Sequence, residues 1–220
     1  MILDLDKFFQ EFNHQIYCII KPNKDLPSYK KGSDIDIFCY DIDKMTTVIL
    51  NVGNQYIEKG LEIVMSNMNG QRYVDFIHTD TGEIEFRFDL YEVLPTYQKL
   101  LIKPAFFENV IENRKLVDLS VDCSIFIPSP IDDNILRYIE YQEWYGQRPD
   151  KIKHINYIVE SCTSNEKNKF LEKLHHYTEL PPVESIYPIK QNRNYFIKSI
   201  ARKVWSKLPA KVKSFIKKFM

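Results

Sequence analysis

Residues 32–38, which read Gly-Ser-Asp-Ile-Asp-Ile-Phe, strongly restrict the folds that this chain can adopt. Aspartate is depleted from β-strands, yet Asp34 and Asp36 flank Ile35 inside an apolar run. Because strand side chains alternate between faces, the two carboxylates are predicted to share one face, about 6–7 Å apart along the strand. Two oxygen donors at that spacing suit one shared divalent cation or two neighbouring ones. The alternative is a surface strand whose aspartates are simply hydrated.

A third carboxylate from a neighbouring strand completes many sites of this kind. Residues 83–91 alternate polar and apolar side chains, which predicts a strand with one polar face. Asp89 is our first choice, because it projects near the end of that strand. Asp75, on the preceding predicted strand, is second, and Glu85 is third.

The remaining pattern predicts an α/β (α+β) fold, with a small mixed sheet, helices on one side and a helical C-terminal subdomain. Strands are predicted over residues 15–20, 34–40, 61–67, 71–79 and 83–91, with 116–127 extended. Helices are predicted over residues 4–14, 42–59, 103–114, 131–145, 150–161 and 163–176. Asn69-Gly70 is a strong hairpin signal between two of the strands. The predicted divisions are 1–127 for the α/β domain, 128–178 for the helical subdomain, and 179–220 for a linker and basic amphipathic helices.

The segment from Gly32 to Ile37 resembles the signature strand of the polymerase-β-like nucleotidyltransferase superfamily. Its surroundings, residues 17–20, Leu26-Pro27 and Lys31, are similar to the nucleotidyltransferase-like proteins of bacterial surface-polysaccharide gene clusters. Further similar blocks are Ile127-Pro128-Ser129-Pro130, Arg137-Tyr138-Ile139-Glu140-Tyr141, and Arg148-Pro149 with Lys151, Lys153 and His154. The resemblance spans about residues 15–160.

The resemblance implies a transferase that moves a nucleotidyl or related phosphoryl group in surface-glycan assembly, with Mg²⁺ or Mn²⁺ as cofactor. Asp34, Asp36 and Asp89 would be its metal ligands and catalytic residues, with Asp89 also serving as base for the acceptor hydroxyl. Gly32 and Ser33 would contact phosphate. The implied partner is a nucleotide or a phosphorylated small molecule.

One departure from the superfamily pattern concerns phosphate binding. The superfamily carries a Gly-Ser or Gly-Gly pair at a helix start upstream of the aspartates, where backbone amides bind phosphate. Here the equivalent region is Lys21-Pro22-Asn23-Lys24. Phosphate contacts would then come from Arg87 or from loop lysines, namely Lys21, Lys24, Lys30 and Lys31. The alternative is that these lysines are hydrated and bind nothing. The departure keeps open a different function, a non-catalytic binding module that acts as a scaffold or an antitoxin-like regulator.

Charge is distributed unevenly along the chain. Residues 185–220 hold ten basic and no acidic residues, whereas residues 1–184 hold 20 basic and 30 acidic ones. The basic residues alternate with apolar stripes over 194–208 and 210–219, a pattern typical of helices that lie on an anionic membrane surface. The alternatives are packing against the body or a partner subunit and, less favoured, nucleic-acid binding.

Other features predict location more than chemistry. No run of about 18 apolar residues is present, and the N-terminus lacks a secretory pattern. The four widely spaced cysteines predict reduced thiols in a cytoplasmic protein. The basic C-terminal pattern predicts a peripheral location at the inner membrane face. The histidines show no zinc-ligand spacing, and His154 is either a substrate contact or a partly buried structural residue.

Overall fold

The structure is a computed structural model that describes residues 2–68 and 70–178. Its strands are β1 (Tyr17–Ile20), β2 (Ser33–Cys39), β3 (Leu61–Met68), β4 (Gln71–His78), β5 (Ile84–Tyr91), β6 (Lys115–Ser120) and β7 (Cys123–Ile127). Its helices are α1 (Leu5–Phe12), α2 (Ile42–Gly53), α3 (Ala105–Glu112), α4 (Pro130–Trp144), α5 (Ile152–Ser161) and α6 (Ser164–Tyr177). Two 3₁₀ helices, Asn54–Lys59 and Pro149–Lys151, extend α2 and precede α5.

Five strands form a mixed sheet in the order β1-β2-β5-β4-β3. The chain runs β3-β4-β5 as an antiparallel meander, and β5 then pairs parallel to β2, which is antiparallel to β1 on its other side. This arrangement places β2, the strand of the two aspartates, beside β5, the strand of Asp89. A separate two-stranded sheet is formed by β6 and β7.

Apolar side chains from alternate positions cover both faces of the five-stranded sheet. On one face Ile37 and Phe88 join a core with the phenylalanines of α1, such as Phe8, and with Met45 of α2. On the other face Phe38 joins a second core formed by α3, α4, α5 and α6. Asp34 and Asp36 have the same parity as Phe38, so they belong to the face on which the helical half packs.

The predicted fold class is confirmed: a mixed sheet precedes a run of helices. Helices contact both faces of the sheet, not one side alone, because alternate residues of β1 and β2 are apolar in both directions. Residues 116–127, predicted only as extended, form the β6–β7 hairpin. The helix predicted over 42–59 is α-helical to Gly53 and 3₁₀ beyond, ending at Gly60, whose φ of 83° is the left-handed conformation that glycine adopts readily.

Local caps fix the helices that face the sheet. Ser129 caps α4, since its Oγ accepts a hydrogen bond from the Asp132 amide, and a reciprocal capping box between Thr163 and Glu166 begins α6. Lys151 ends the 3₁₀ helix Pro149–Lys151, and His154 and Tyr157 follow it in α5 at three-residue spacing, so each is a neighbour of the next on the helix surface.

Some predictions lie outside the described residues: Asn69 of the hairpin turn, and the linker and amphipathic helices predicted beyond residue 178. Within the described part of the chain, no helix is long and apolar enough to cross a membrane. All four cysteines are free thiols, and three of them are buried.

Candidate functional site

The register of β2 against β5 brings the predicted carboxylates together. Asp36 lies directly opposite Asp89 in the strand pair. Two residues nearer the start of both strands, Asp34 lies opposite Arg87. The four side chains share one face, because positions two apart on neighbouring strands point the same way. Asp34 is exposed, Asp36 is partly buried, and Asp89 is only 7% exposed. The site therefore has an open side and a buried side.

Asp75 of β4 and Arg87 of β5 form an ion pair. Arg87 Nε and Nη2 donate to the two carboxylate oxygens of Asp75 at 2.5 and 2.9 Å, a bidentate geometry. The guanidinium also lies over the ring of Tyr73, 5.0 Å from its centroid. Both groups that were considered for the site, Asp75 as a carboxylate and Arg87 as a phosphate contact, are thus engaged with each other.

Asp89 carries the clearest electrostatic signature of the site. Burial, followed by the neighbouring charges of Asp36 and Asp34, raises its pKa to about 8. Its Oδ1 is buried and has no hydrogen-bond partner in the part of the chain that the structure describes, and Arg87 Nε lies 3.8 Å away. Buried polar atoms are normally satisfied, so this oxygen is available to a ligand or a metal ion.

Lys21 supplies the positive charge next to Asp36. Its ammonium lies 3.0 Å from Asp36 Oδ2 and 2.6 Å from Glu140 Oε2, which joins β2 to α4 through a single side chain. Burial alone would lower the pKa of Lys21, but Asp36 and Glu140 outweigh it and raise that pKa above its usual value. The backbone of Lys21 has a φ of 50°, which is uncommon for a residue other than glycine and marks a strained position that the surroundings enforce.

Glu140 is the centre of a charge cluster on the helical side. It accepts hydrogen bonds from Lys21 and Lys151, and His154 Nε2 lies 3.7 Å from its Oε2. Burial opposes its charge, yet His154 and the two ammonium groups hold the pKa of Glu140 well below its usual value. Glu140 is therefore ionised across the physiological range and anchors both lysines.

Both oxygens of Asp36 have partners. Lys21 contacts Oδ2, and the Tyr91 hydroxyl donates to Oδ1 at 3.1 Å.

A cleft of about 500 Å³ lies between the β1–β2 side of the sheet and helices α4 and α5. The sheet side contributes Ile20, Lys21, Pro22, Asn23, Lys24, Leu26, Ser33, Asp34, Ile35 and Asp36. The helical side contributes Arg137, Glu140, Lys151, Lys153, His154 and Tyr157. The cleft thus combines the aspartate pair with five basic side chains.

The other predicted phosphate contacts have mixed positions. Ser33 lines the cleft, and its Oγ accepts a hydrogen bond from the Lys30 amide at 3.2 Å. Lys31 forms an exposed ion pair with Glu83 at 2.9 Å, and the Gly32 amide donates to the Glu85 carbonyl at 2.9 Å. Gly32 and Lys31 are therefore engaged away from the cleft.

Glu85, the third choice for the extra carboxylate, belongs to a separate buried network. Its oxygens accept hydrogen bonds from the Tyr29 hydroxyl at 2.6 Å and from the Ile2 amide at 3.0 Å, and His78 Nε2 lies at 2.9 Å. These contacts tie the N-terminal segment to β5, which is a structural role.

Sequence reasoning gave no role to Arg137, Glu140, Lys151 and Tyr157. Arg137, Glu140 and Lys151 belong to the blocks that carry the resemblance in the helical half, whereas Tyr157 lies outside those blocks. Their position in the cleft depends on how α4 and α5 pack on the sheet, which no local pattern specifies.

The donor chemistry of the aspartates fits a magnesium ion. Asp34, Asp36 and Asp89 offer hard carboxylate oxygens, Asp89 Oδ1 lacks a hydrogen-bond partner among the described residues, and burial followed by repulsion from Asp36 and Asp34 raises the pKa of Asp89. Across residues 2–68 and 70–178, however, no three His, Cys, Asp or Glu side chains are already gathered as a ligand set. Lys21 lies where it already neutralises Asp36, so metal binding requires this ion pair to rearrange.

No protein-family model matches the chain, and the search of curated proteins finds no match either.

Proposed function

We propose that the chain is a magnesium-dependent transferase of a nucleotidyl or related phosphoryl group. The single observation that supports this most is the register pairing of Asp36 with Asp89, beside Asp34, next to a cleft lined by basic residues. Asp36, Asp89 and Asp34 lie on one face of neighbouring strands, and burial followed by the charges of Asp36 and Asp34 raises the pKa of Asp89, a cost that a bound cation would offset.

Each residue has a part in the proposed reaction. Asp34, Asp36 and Asp89 would hold the metal, which when bound would neutralise charge on the transferring group and activate the attacking oxygen. Burial and the charges of Asp36 and Asp34 raise the pKa of Asp89 to about 8, so it would serve as base for the acceptor hydroxyl in its ionised form, which a bound metal would favour. Lys21 would exchange its contact with Asp36 for one with a phosphate oxygen. Glu140 would keep Lys21 and Lys151 charged and in place.

The acceptor we propose is a precursor of a bacterial surface glycan, and this part rests on the sequence resemblance alone. A site at the inner membrane face is part of the same proposal. It is supported by the basic amphipathic pattern of residues 194–219, which lie outside the described residues.

The test is a screen of the four nucleoside triphosphates with Mg²⁺ or Mn²⁺, reading pyrophosphate release. Wild type is compared with Asp36→Ala and with Asp118→Ala, a matched change at an exposed aspartate of β6 outside the cleft. We expect release by wild type and by Asp118→Ala, and loss of at least about 100-fold in Asp36→Ala.

One observation favours the second candidate, a non-catalytic binding or regulatory module. Both oxygens of Asp36 already have protein partners, Lys21 and Tyr91, and the Gly32 amide is bound to Glu85. Absence of release with every nucleotide, together with no magnesium or nucleotide binding by calorimetry, would favour this module over the transferase.

A further inference from the structure

The cleft contains more positive charge than its own acids neutralise. Lys21 and Lys151 are paired with Glu140, and Arg137 Nε is bound to Asp133 at 2.7 Å. Two further lysines line the cleft, and neither forms an ion pair within the described part of the chain: they are Lys24 and Lys153. Both are exposed, one in the loop between β1 and β2 and the other on α5. The two walls of the cleft therefore each present one ammonium group that is free to bind a ligand.

His154 is an independent sign of a missing ligand. It is 4% exposed, it lines the cleft, and across residues 2–68 and 70–178 neither Nδ1 nor Nε2 has a hydrogen-bond partner. Glu140 Oε2, at 3.7 Å from Nε2, is too far for a hydrogen bond. A buried ring nitrogen without a partner is destabilising, so the surroundings favour a ligand atom that would complete its hydrogen bonding.

We propose that Lys24, Lys153 and His154 form an anion subsite that binds a phosphate or diphosphate group of the ligand. Two ammonium groups and one imidazole N–H are donors of the kind that bind phosphate oxygens through charge-assisted hydrogen bonds. Asp34 and Asp36 line the same cleft, so one ligand would reach both the subsite and the aspartates. The inference rests on the proposed function for the role of those aspartates, but it predicts phosphate binding even without catalysis.

The experiment is calorimetric titration of the full chain with inorganic pyrophosphate in the presence of EDTA. The variants are Lys153→Met, Lys24→Met and His154→Gln. The matched control is Lys115→Met, an exposed lysine of β6 outside the cleft. We expect saturable binding by wild type, about tenfold weaker binding by each of the three variants, and no change in the control. Pyrophosphate should also shift the ring ¹⁵N resonances that are absent from His154→Gln.

Two results would overturn the subsite: no saturable binding by wild type at millimolar pyrophosphate, or equal weakening by Lys115→Met. If His154→Gln does not fold, the two exposed lysines still decide the question. Asp36→Asn separates the two proposals, because it should retain metal-free pyrophosphate binding while it loses transfer. Retained binding with no transfer by wild type would leave the subsite intact and reject the transferase.

Discussion

Asp36 on β2 and Asp89 on β5 are direct partners in a parallel strand pair, although more than 50 residues separate them along the chain. Asp36 has contacts with Lys21 and Tyr91, while Asp89 Oδ1 has no hydrogen-bond partner among the described residues. The pair is therefore asymmetric. Asp36 would exchange its ammonium partner for a bound metal, and Asp89, whose pKa is raised to about 8, would exchange its proton for the same metal.

The identity of the third carboxylate gives the first prediction. Asp89→Asn should lower transfer at least about 100-fold, because it removes a ligand that faces Asp36. Asp75→Asn should lower it much less, because Asp75 acts through its bidentate bond to Arg87. Glu85→Gln should lower the melting temperature by weakening the bonds from Tyr29 and Ile2, with the turnover of folded protein unchanged.

Steady-state turnover and thermal unfolding, measured on the same preparations, check these three variants. A turnover lost in Glu85→Gln but retained in Asp89→Asn would reject the assignment of Asp89.

The raised pKa of Asp89 predicts a pH dependence of stability. In the folded protein this carboxyl has a pKa of about 8, against about 3.9 in an unfolded chain. Between those values the folded state holds a proton that the unfolded state releases, so the free energy of unfolding should fall as pH rises from about 4 to 8. The slope from this group vanishes below and above that interval.

Urea unfolding of the metal-free protein at pH 5 and pH 8.5 measures the effect. The free energy of unfolding of wild type should fall between these pH values, and in Asp89→Asn this fall should be smaller by roughly 2–4 kcal/mol. In Asp118→Asn the fall should equal that of wild type. Saturating Mg²⁺ should flatten the wild-type slope as well, because a bound cation favours the ionised carboxyl. Identical slopes for wild type and Asp89→Asn would show that Asp89 is already ionised at low pH.

The strands of the site could be predicted from the sequence, whereas the contacts between the sheet and the helices could not. The alternation around Asp34 and Asp36 and along residues 83–91 is local, so the strands and the shared face of the aspartates could be predicted. The hairpin β6–β7 was missed because residues 120–123 carry no glycine or proline turn signal. The contact of Lys21 with Glu140 joins residues 119 positions apart, and it depends on the packing of α4, which periodicity does not encode.

The basic C-terminal segment gives a membrane prediction. The full chain should co-sediment with liposomes rich in anionic lipid, and this partitioning should weaken with added salt, since lysine attraction to such surfaces is screened. A chain that lacks residues 190–220 should remain in the supernatant, and Lys115→Gln in the full chain should have no effect. Equal partitioning with and without residues 190–220 would remove the membrane proposal.

Two lysines with different surroundings give a matched test of the charge cluster. Lys21 is 16% exposed in its side chain and contacts Asp36 and Glu140, whereas Lys31 is 46% exposed and pairs with the exposed Glu83. Lys21→Met should reduce the free energy of unfolding by roughly 2–4 kcal/mol, because it leaves partly buried carboxylates less compensated. Lys31→Met should change it by less than about 0.5 kcal/mol, since exposed pairs contribute little.

Denaturant unfolding of both variants and of the double variant Lys21→Met/Asp36→Asn completes the comparison. Removal of both partners should cost less than the sum of the single changes, because each single change leaves the other charge unpaired. Metal binding would relieve the same strain in Lys21→Met, so Mg²⁺ should stabilise this variant more than it stabilises wild type. Additive costs, or equal stabilisation by Mg²⁺, would mean that Lys21 and a metal do not compete for Asp36.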